Sequence, residues 1–334
     1  MGMLDTIDAI FSECKGILAA DESTGTAEKR LASVGVQSTP ESRHSYRHNL
    51  FSSPGISAHV GGVILFDETI RSSQTIEPLR AQNIELGIKV DKGATRYNKQ
   101  SITEGLDGLT ERLLEYVDMG ASFAKWRAVL GPNSSIENIK TNSTIMAVYA
   151  KRCQDVGVVP IVEPEVLMDG CHTIGTSYNI TSLALKELFS SLTQEKVRLD
   201  RIILKPNMVV TGYSSSVRST AQEVARMTTD CLKNNVPASV PAIAFLSGGQ
   251  KDSDVLEALA AINEEFYLPW TVSFSFGRTL QRGALELWSQ ERYEEARTWL
   301  SQRAKECCFA VSGRTRNQSG QTNMGVAELW DSGL

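Results

Sequence analysis

Arg201-Ile202-Ile203-Leu204-Lys205-Pro206 is a short apolar run that ends in a lysine and then a proline. Seven other runs share the design, at residues 16–20, 62–66, 87–90, 121–125, 158–162, 242–246 and 271–276. Each is mostly apolar or small, and polar residues follow it. A longer stretch, often helical in pattern, then leads to the next run. Continuous rather than alternating apolar runs suit parallel strands covered on both faces. Two of the connecting stretches carry clear helical stripes. One is Val217, Ala221, Val224, Ala225, Thr228, Cys231 and Leu232; the other is Val255, Leu256, Leu259 and Ile262. Spacings of about 25 to 45 residues leave room for a crossover helix each time. Eight such units make an α/β fold, a single (β/α)8 TIM barrel, and 334 residues fit one barrel with insertions.

Composition narrows the partners. The net charge of −5 and a pI near 5.6 speak against nucleic acid or an anionic membrane surface. An anionic substrate would need a local cluster of cations instead. The first ten residues carry acidic side chains and no basic stretch ahead of an apolar run, so they do not read as a secretory signal. No stretch approaches the roughly 18 consecutive apolar residues of a membrane span. Cys14, Cys153, Cys171, Cys231, Cys307 and Cys308 form no C-x-x-C and suggest neither a disulfide framework nor a zinc knuckle. Cys307 and Cys308 fall on the apolar face of a helical pattern with Ala296, Trp299, Leu300, Ala304 and Val311, where core packing is expected of them. A reducing cytoplasm fits this usage. Residues from about 313 to 334 are rich in Gly, Ser, Asn and Gln and read as a mobile tail.

The polar residues at the run ends form a pattern: Asp21; Asp67 with Glu68; Lys92; Lys125 with Arg127; Glu163 with Glu165; Lys205; Ser247 with Gly248 and Gly249; and Gly277 with Arg278. In a (β/α)8 barrel all strand C-termini meet on one face, where active sites sit. The set suits a phosphorylated substrate undergoing acid–base chemistry. A lysine such as Lys205 becomes a nucleophile when burial and a neighbouring cation, for which Lys125 is placed, lower its pKa. Taken alone, Lys205 also reads as a strand-end lysine reaching solvent. Glu163 and Glu165, two apart in an extended segment, point the same way and suit a general acid–base pair. Either could instead belong to a turn, and Asp21 could be a helix cap. Ser247-Gly248-Gly249 and Gly277-Arg278 follow the seventh and eighth runs, the usual place for phosphate in this fold. Four histidines, His44, His48, His59 and His172, show no ligand spacing that suits a metal site, and no cofactor is indicated.

Nine motifs carry a resemblance. They are Leu18-Ala-Ala-Asp-Glu-Ser-Thr-Gly25, Gly62-Val-Ile-Leu-Phe-Asp-Glu-Thr69, Gly87-Ile-Lys-Val-Asp-Lys-Gly93, Glu104-Gly-Leu-Asp-Gly-Leu109, Phe123-Ala-Lys-Trp-Arg127, Ile161-Val-Glu-Pro-Glu165, Leu204-Lys-Pro-Asn-Met208, Leu246-Ser-Gly-Gly-Gln250 and Phe274-Ser-Phe-Gly-Arg278. In this order they closely resemble class I fructose-1,6-bisphosphate aldolases, bacterial members above all. The resemblance implies a Schiff base on Lys205. It makes Glu163 the acid–base group in carbinolamine dehydration and C–C cleavage, Glu165 an electrostatic support for Lys205, Lys125 a cation near the reacting hydroxyls, and Asp21 the group that orients them or helps deprotonate them. It gives Ser247, Gly248, Gly277 and Arg278 to one phosphate and places Ser23, Thr26 and Lys92 toward the other. Lys29, Arg30, Trp126, Arg127 and Ser275 would line the cleft. It also implies a sugar-phosphate substrate and a homo-oligomer, a homotetramer. Sedoheptulose 1,7-bisphosphate or fructose 1-phosphate is the alternative main substrate, and a catalytically dead scaffold on the same fold is the reading from another class. Two departures stand out. The connection after Lys92 is shortened to residues 94–103, and the last tyrosine is Tyr293, so no C-terminal phenol is available for proton exchange.

Overall fold

The computed structural model describes residues 2–97 and 100–313; the tail expected beyond residue 313 lies outside these. Ten strands occur among them: β1 (Gly16–Ala20), β2 (Val60–Leu65), β3 (Glu85–Lys89), β4 (Ala94–Tyr97), β5 (Gln100–Thr103), β6 (Ala121–Leu130), β7 (Val159–Val166), β8 (Ile203–Leu204), β9 (Ala242–Phe245) and β10 (Thr271–Phe276). The helices are α1 (Met3–Phe11), α2 (Thr24–Ser33), α3 (Pro40–Phe51), α4 (Asp67–Ile70), α5 (Ser73–Ala81), α6 (Leu109–Asp118), α7 (Ile136–Asp155), α8 (Ile174–Gln194), α9 (Ala221–Asn235), α10 (Asp252–Glu265), α11 (Arg278–Ser289) and α12 (Tyr293–Val311).

Eight of the strands close into a parallel barrel in the order β1-β10-β9-β8-β7-β6-β3-β2, with helices between them. The expected (β/α)8 architecture is therefore the one observed, and every expected run overlaps a barrel strand. The remaining pair, β4 and β5, is an antiparallel hairpin with Ala94 opposite Thr103. It occupies the connection that was expected to be merely short. Buried amides on α7 dock it: Asn138 and Asn142 each donate to Ser101 O at 2.8 Å, and Asn142 Oδ1 accepts from Thr103 N.

Side chains alternate across the barrel wall. Ile17, Ala19, Ile64, Phe123, Val159, Ile161, Ile203, Ala242 and Ala244 point inward and pack with Ile7, Ile10 and Phe11 of α1. Helix α1 thus closes the N-terminal end of the barrel. Gly61 admits it, since a Cβ there would lie 2.2 Å from Ile10 O. Gly87 leaves room for the Phe123 ring, which a Cβ would meet at 2.1 Å. The outward residues, among them Leu18, Leu65, Ala124, Trp126, Leu204, Phe245 and Phe276, join the larger strand–helix core.

The expected helical stripes need one correction each. Val217 stands outside α9 and is 71% exposed. Thr220 caps that helix by accepting from Glu223 N, so the helix begins only at Ala221. In the other stripe Val255, Leu259 and Ile262 are fully buried, while Leu256 lies at the edge. The cysteine reading also needs correcting. Cys307 is a buried free thiol as expected, but Cys308 is joined to Cys14 in a disulfide spanning 294 residues of sequence. Spacing along the chain gave no hint of this pair, because the barrel's closure is what brings its two ends together.

Candidate active site at the barrel mouth

Alternation along the strands explains the site. Ala19, Gly87, Phe123, Ile161 and Ile203 face the barrel interior, and two residues further on stand Asp21, Lys89, Lys125, Glu163 and Lys205. The apolar floor is thus overlaid by a charged layer at the C-terminal ends of five strands. Lys125 stands in register with Lys89 on one side and Ile161 on the other, while Arg127 is level with Glu163.

Glu163 is the hub of this layer. It is 4% exposed. Its Oε1 lies 3.2 Å from Lys205 Nζ and its Oε2 lies 3.4 Å from Lys125 Nζ. Oε2 makes no hydrogen bond among the described residues, so the approach to Lys125 is electrostatic contact rather than a directed bond. Lys125 bonds instead to Asp21 Oδ2 at 2.7 Å. Burial works against the Lys125 charge. Asp21, then Glu163 and Asp91, outweigh it and hold the ammonium protonated well above its usual range. Burial likewise opposes ionisation of Asp21, but Lys125, Lys205 and Lys89 hold its carboxyl far below the usual carboxylate value. Glu165 goes the other way: burial raises it, Arg127 partly offsets this, and Glu163 adds to it. The two carboxylates of Glu-Pro-Glu therefore sit in different settings. Glu165 pairs with Arg127, while Glu163 pairs with the lysines. Lys205 itself is 4% exposed, and its backbone N–H bonds Val162 O at 2.8 Å.

Beside this layer lies a glycine-rich turn of a geometry suited to an anion. Gly248 and Gly249 have φ of +55° and +89°, the left-handed turn that only glycine adopts freely. Tyr213 Oη donates to Gly248 O at 2.5 Å. A Cβ on Gly249 would fall 2.6 Å from both Tyr213 Oη and Arg278 Nη2, so phenol and guanidinium converge there. Gly277 caps α11, and no side chain at the cap bonds the backbone N–H groups of its first turn. A Cβ on Gly277 would meet Ala19 O at 3.2 Å and Arg30 Nη2 at 3.8 Å. Arg30 is held by Glu22, which also accepts from Gln281 Nε2 at 3.0 Å. Ser247 and Ser275 are buried nearby in sequence, and Ser275 Oγ has no hydrogen-bond partner among the described residues. Ser23 and Thr26 face each other through their hydroxyls at 3.2 Å at the start of α2, and Lys29 is exposed one turn on.

Two expected residues stand elsewhere. Trp126, expected in the cleft, is 0% exposed. It is out of phase with Lys125, so it points outward and packs on Tyr149 of α7 with ring centroids 5.3 Å apart. Lys92, likewise out of phase with β3, is exposed on the loop leading to the hairpin. Lys89 occupies the inward position instead, with Nζ 2.5 Å from Asp91 Oδ1 and 2.7 Å from Asp91 O. Asp91 is buried, and its Oδ2 accepts from Arg127 N. Lys89, Asp91 and Tyr213 are thus members that sequence reasoning missed. Strand parity would have found the first two. A surface cavity of about 370 Å³ between α3 and the α11–α12 corner, lined by His44, His48, Trp288 and Tyr293 among others, contains none of the lysine–carboxylate set.

Comparison with known proteins gives the same answer as the site. The family model described as fructose-bisphosphate aldolase class-I matches residues 3–331. A probable class 1 fructose-bisphosphate aldolase of Xanthomonas axonopodis pv. citri is 44% identical over 326 residues, 93% of this chain and 98% of that protein. The chloroplastic fructose-bisphosphate aldolase 2 of Arabidopsis thaliana is 42% identical, covering 93% of this chain and 81% of that one. A solved structure of the Plasmodium falciparum aldolase, in complex with TRAP and a small molecule inhibitor, superposes with a TM-score of 0.92 at 38% identity over 94% of this chain and 95% of that one. No helix among the described residues is long and apolar enough to cross a membrane. The chain belongs to the class I fructose-bisphosphate aldolase family, and it is a carbon–carbon lyase.

Proposed function

We propose that this aldolase works through a Schiff base on Lys205 and that fructose 1,6-bisphosphate is its main substrate. The observation that carries this is the contact of one buried carboxylate, Glu163, with two buried lysines at the mouth of the barrel. The Lys205 amine adds to the C2 carbonyl, and the carbinolamine loses water to a protonated imine. Glu163 supplies the proton that leaves with that water and receives it back on hydrolysis. Glu163, left as a carboxylate by that step, takes the C4 hydroxyl proton, which breaks C3–C4 and releases glyceraldehyde 3-phosphate. The bonding pair passes into the imine as an enamine. Protonation at C3 and hydrolysis then release dihydroxyacetone phosphate and free Lys205. Asp21 and Lys125 orient the reacting hydroxyls as a charged pair. Glu165 is set by Arg127 and supports the field around Lys205.

One phosphate takes the cradle of Ser247, Gly248, Gly277 and Arg278, with Arg30 and Ser275 beside it. The other takes Ser23 and Thr26, with Lys29 and Lys92 toward that end. Proton return falls to groups within the mouth, Glu163 or the substrate's own phosphate. A homotetramer in the cytoplasm belongs to the same reading, supported by family likeness, including 43% identity to a cytoplasmic aldolase isozyme of Cicer arietinum. Light scattering and cell fractionation test those two points. The chemistry is tested by borohydride trapping with dihydroxyacetone phosphate. Added mass on the peptide containing Lys205 is expected, and label confined to another lysine in an active preparation would refute it. Rates on fructose 1-phosphate and sedoheptulose 1,7-bisphosphate decide the substrate order.

A further inference from the structure

A second cluster of reactive side chains lies at the opposite end of the barrel. Cys14 precedes β1, His59 precedes β2, and Cys308 stands in the last turn of α12. The two sulfur atoms and a ring nitrogen of His59 all lie within 4.8 Å of one another. The cysteine Cα atoms are 4.9 Å apart, within the range a disulfide requires. Cys308 is buried, whereas Cys14 and His59 are partly exposed, so a small reagent has one way in, through Cys14. His59 Nδ1 is buried and has no hydrogen-bond partner among the described residues while the sulfurs are joined. Opening the bond would leave an S–H within reach of the imidazole.

We infer that Cys14, His59 and Cys308 form a reversible thiol–disulfide exchange site whose co-substrate is a small-molecule disulfide. Cys14, its proton taken by His59, attacks one sulfur of the small disulfide and releases the first small thiolate. Cys308 then attacks Cys14 Sγ and releases the second. Two protein thiols are oxidised, one small disulfide is reduced, and the two protons leave on the released thiols. The product ties the end of α12 to the base of the barrel, next to the α1 plug. Helix α12 in turn braces α11, whose first residue is Arg278. Arg303 donates to Thr279 O at 3.2 Å, and Trp299 packs where a Cβ on Gly283 would fall.

The test uses the full chain in a Cys171→Ser background, because Cys171 is an exposed free thiol that would take adducts of its own. The reduced protein is equilibrated across ratios of reduced to oxidised glutathione, alkylated and mapped by mass. Cys14 and Cys308 should lose alkylation together and regain it together as the ratio is reversed. Cys308→Ser should trap a glutathione adduct on Cys14, and Cys14→Ser should leave Cys308 unmodified. His59→Ala should slow oxidation by about tenfold at fixed pH without changing the final pairing. Retained aldolase activity shows that each variant is folded. Thiols that stay free at every ratio would overturn the inference, as would a bond that excess reduced glutathione cannot open. So would stoichiometric zinc on the reduced protein that blocks exchange until a chelator removes it.

Discussion

Lys205 and Lys125 share one carboxylate: Glu163 presents Oε1 to the first at 3.2 Å and Oε2 to the second at 3.4 Å. Among the described residues, Lys125 but not Lys205 has a second anion, Asp21, in direct contact. The two lysines are therefore unequal. Lys125 is fixed as a cation between two carboxylates, while Lys205 holds a single, longer contact that a reacting carbonyl can displace.

That inequality predicts different losses. Lys205→Arg should abolish turnover and borohydride trapping, because a guanidinium stays protonated and cannot form an imine. Glu163→Gln keeps the shape but cannot pass a proton, so kcat should fall by roughly 10² to 10⁴. Slow trapping at Lys205 should still be detectable by mass. Normal kcat in Glu163→Gln would move the acid–base role to another group.

Trp126 is a core residue with its ring against Tyr149, so its removal should cost stability rather than substrate affinity. Trp126→Ala should destabilise by about 3 to 5 kcal/mol in denaturant unfolding. Trp126→Phe should leave KM unchanged. A severalfold rise in KM for the phenylalanine variant would return this position to the cleft.

Trp126 and Lys92 also show where the sequence was legible and where it was not. The barrel was readable because its strands are continuous apolar runs covered on both faces, and most of them end in polar residues close to the strand's C-terminus. Asp21, Lys125, Glu163 and Lys205 were readable for the same reason. What failed was phase. Counting in twos from Phe123 or Gly87 points Lys125 and Lys89 inward and Trp126 outward. Lys92, three residues past Lys89, is out of phase in the same way and stands exposed on the loop beyond the strand. The hairpin, the Tyr213 contact and the Cys14–Cys308 pair were not legible, since each depends on tertiary closure between segments that carry no local signal.

Arg278 and Tyr213 converge on Gly249, and they should contribute to phosphate binding unequally. Arg278→Ala removes a charge-assisted contact and should raise KM for the bisphosphate by about 30-fold, on the order of 2 kcal/mol. Tyr213→Phe removes only the hydrogen bond that holds Gly248 O, on the order of 1 kcal/mol, and should raise KM about fivefold with kcat little changed. Equal effects on a substrate lacking the phosphate at this end would show that neither residue acts through it.

With an imine as electron sink, the reaction should be indifferent to chelators. Activity after exhaustive EDTA dialysis should match the untreated enzyme. Among the described residues the one candidate ligand cluster, Cys14, His59 and Cys308, lies at the far end of the barrel, so a cation lost there would leave the chemistry in place. Loss of activity restored by zinc would refute the imine route.

The Asp21–Lys125 pair carries a signature in acid. Asp21 is depressed below its unfolded value, so its stabilisation is fully present above about pH 4 and is lost as pH falls through the folded value. In that window the unfolded chain binds the proton first, and stability rises with pH. Lys125 has the opposite sense. Its folded value is raised, so its contribution is present below about pH 10 and is lost only above that, leaving the acid limb to the carboxylate. Asp21→Asn keeps an acceptor but leaves Lys125 with Glu163 alone. It should cost about 2 kcal/mol at pH 7, the scale of a hydrogen bond to a buried charge. The difference between variant and wild type should begin to shrink below about pH 4, where the unfolded carboxylate takes up its proton, and should vanish only below the far lower folded value. Urea unfolding at a series of pH values from neutral to acid measures this directly. A difference that stays constant across the series would mean that Asp21 stabilises by packing rather than by its charge.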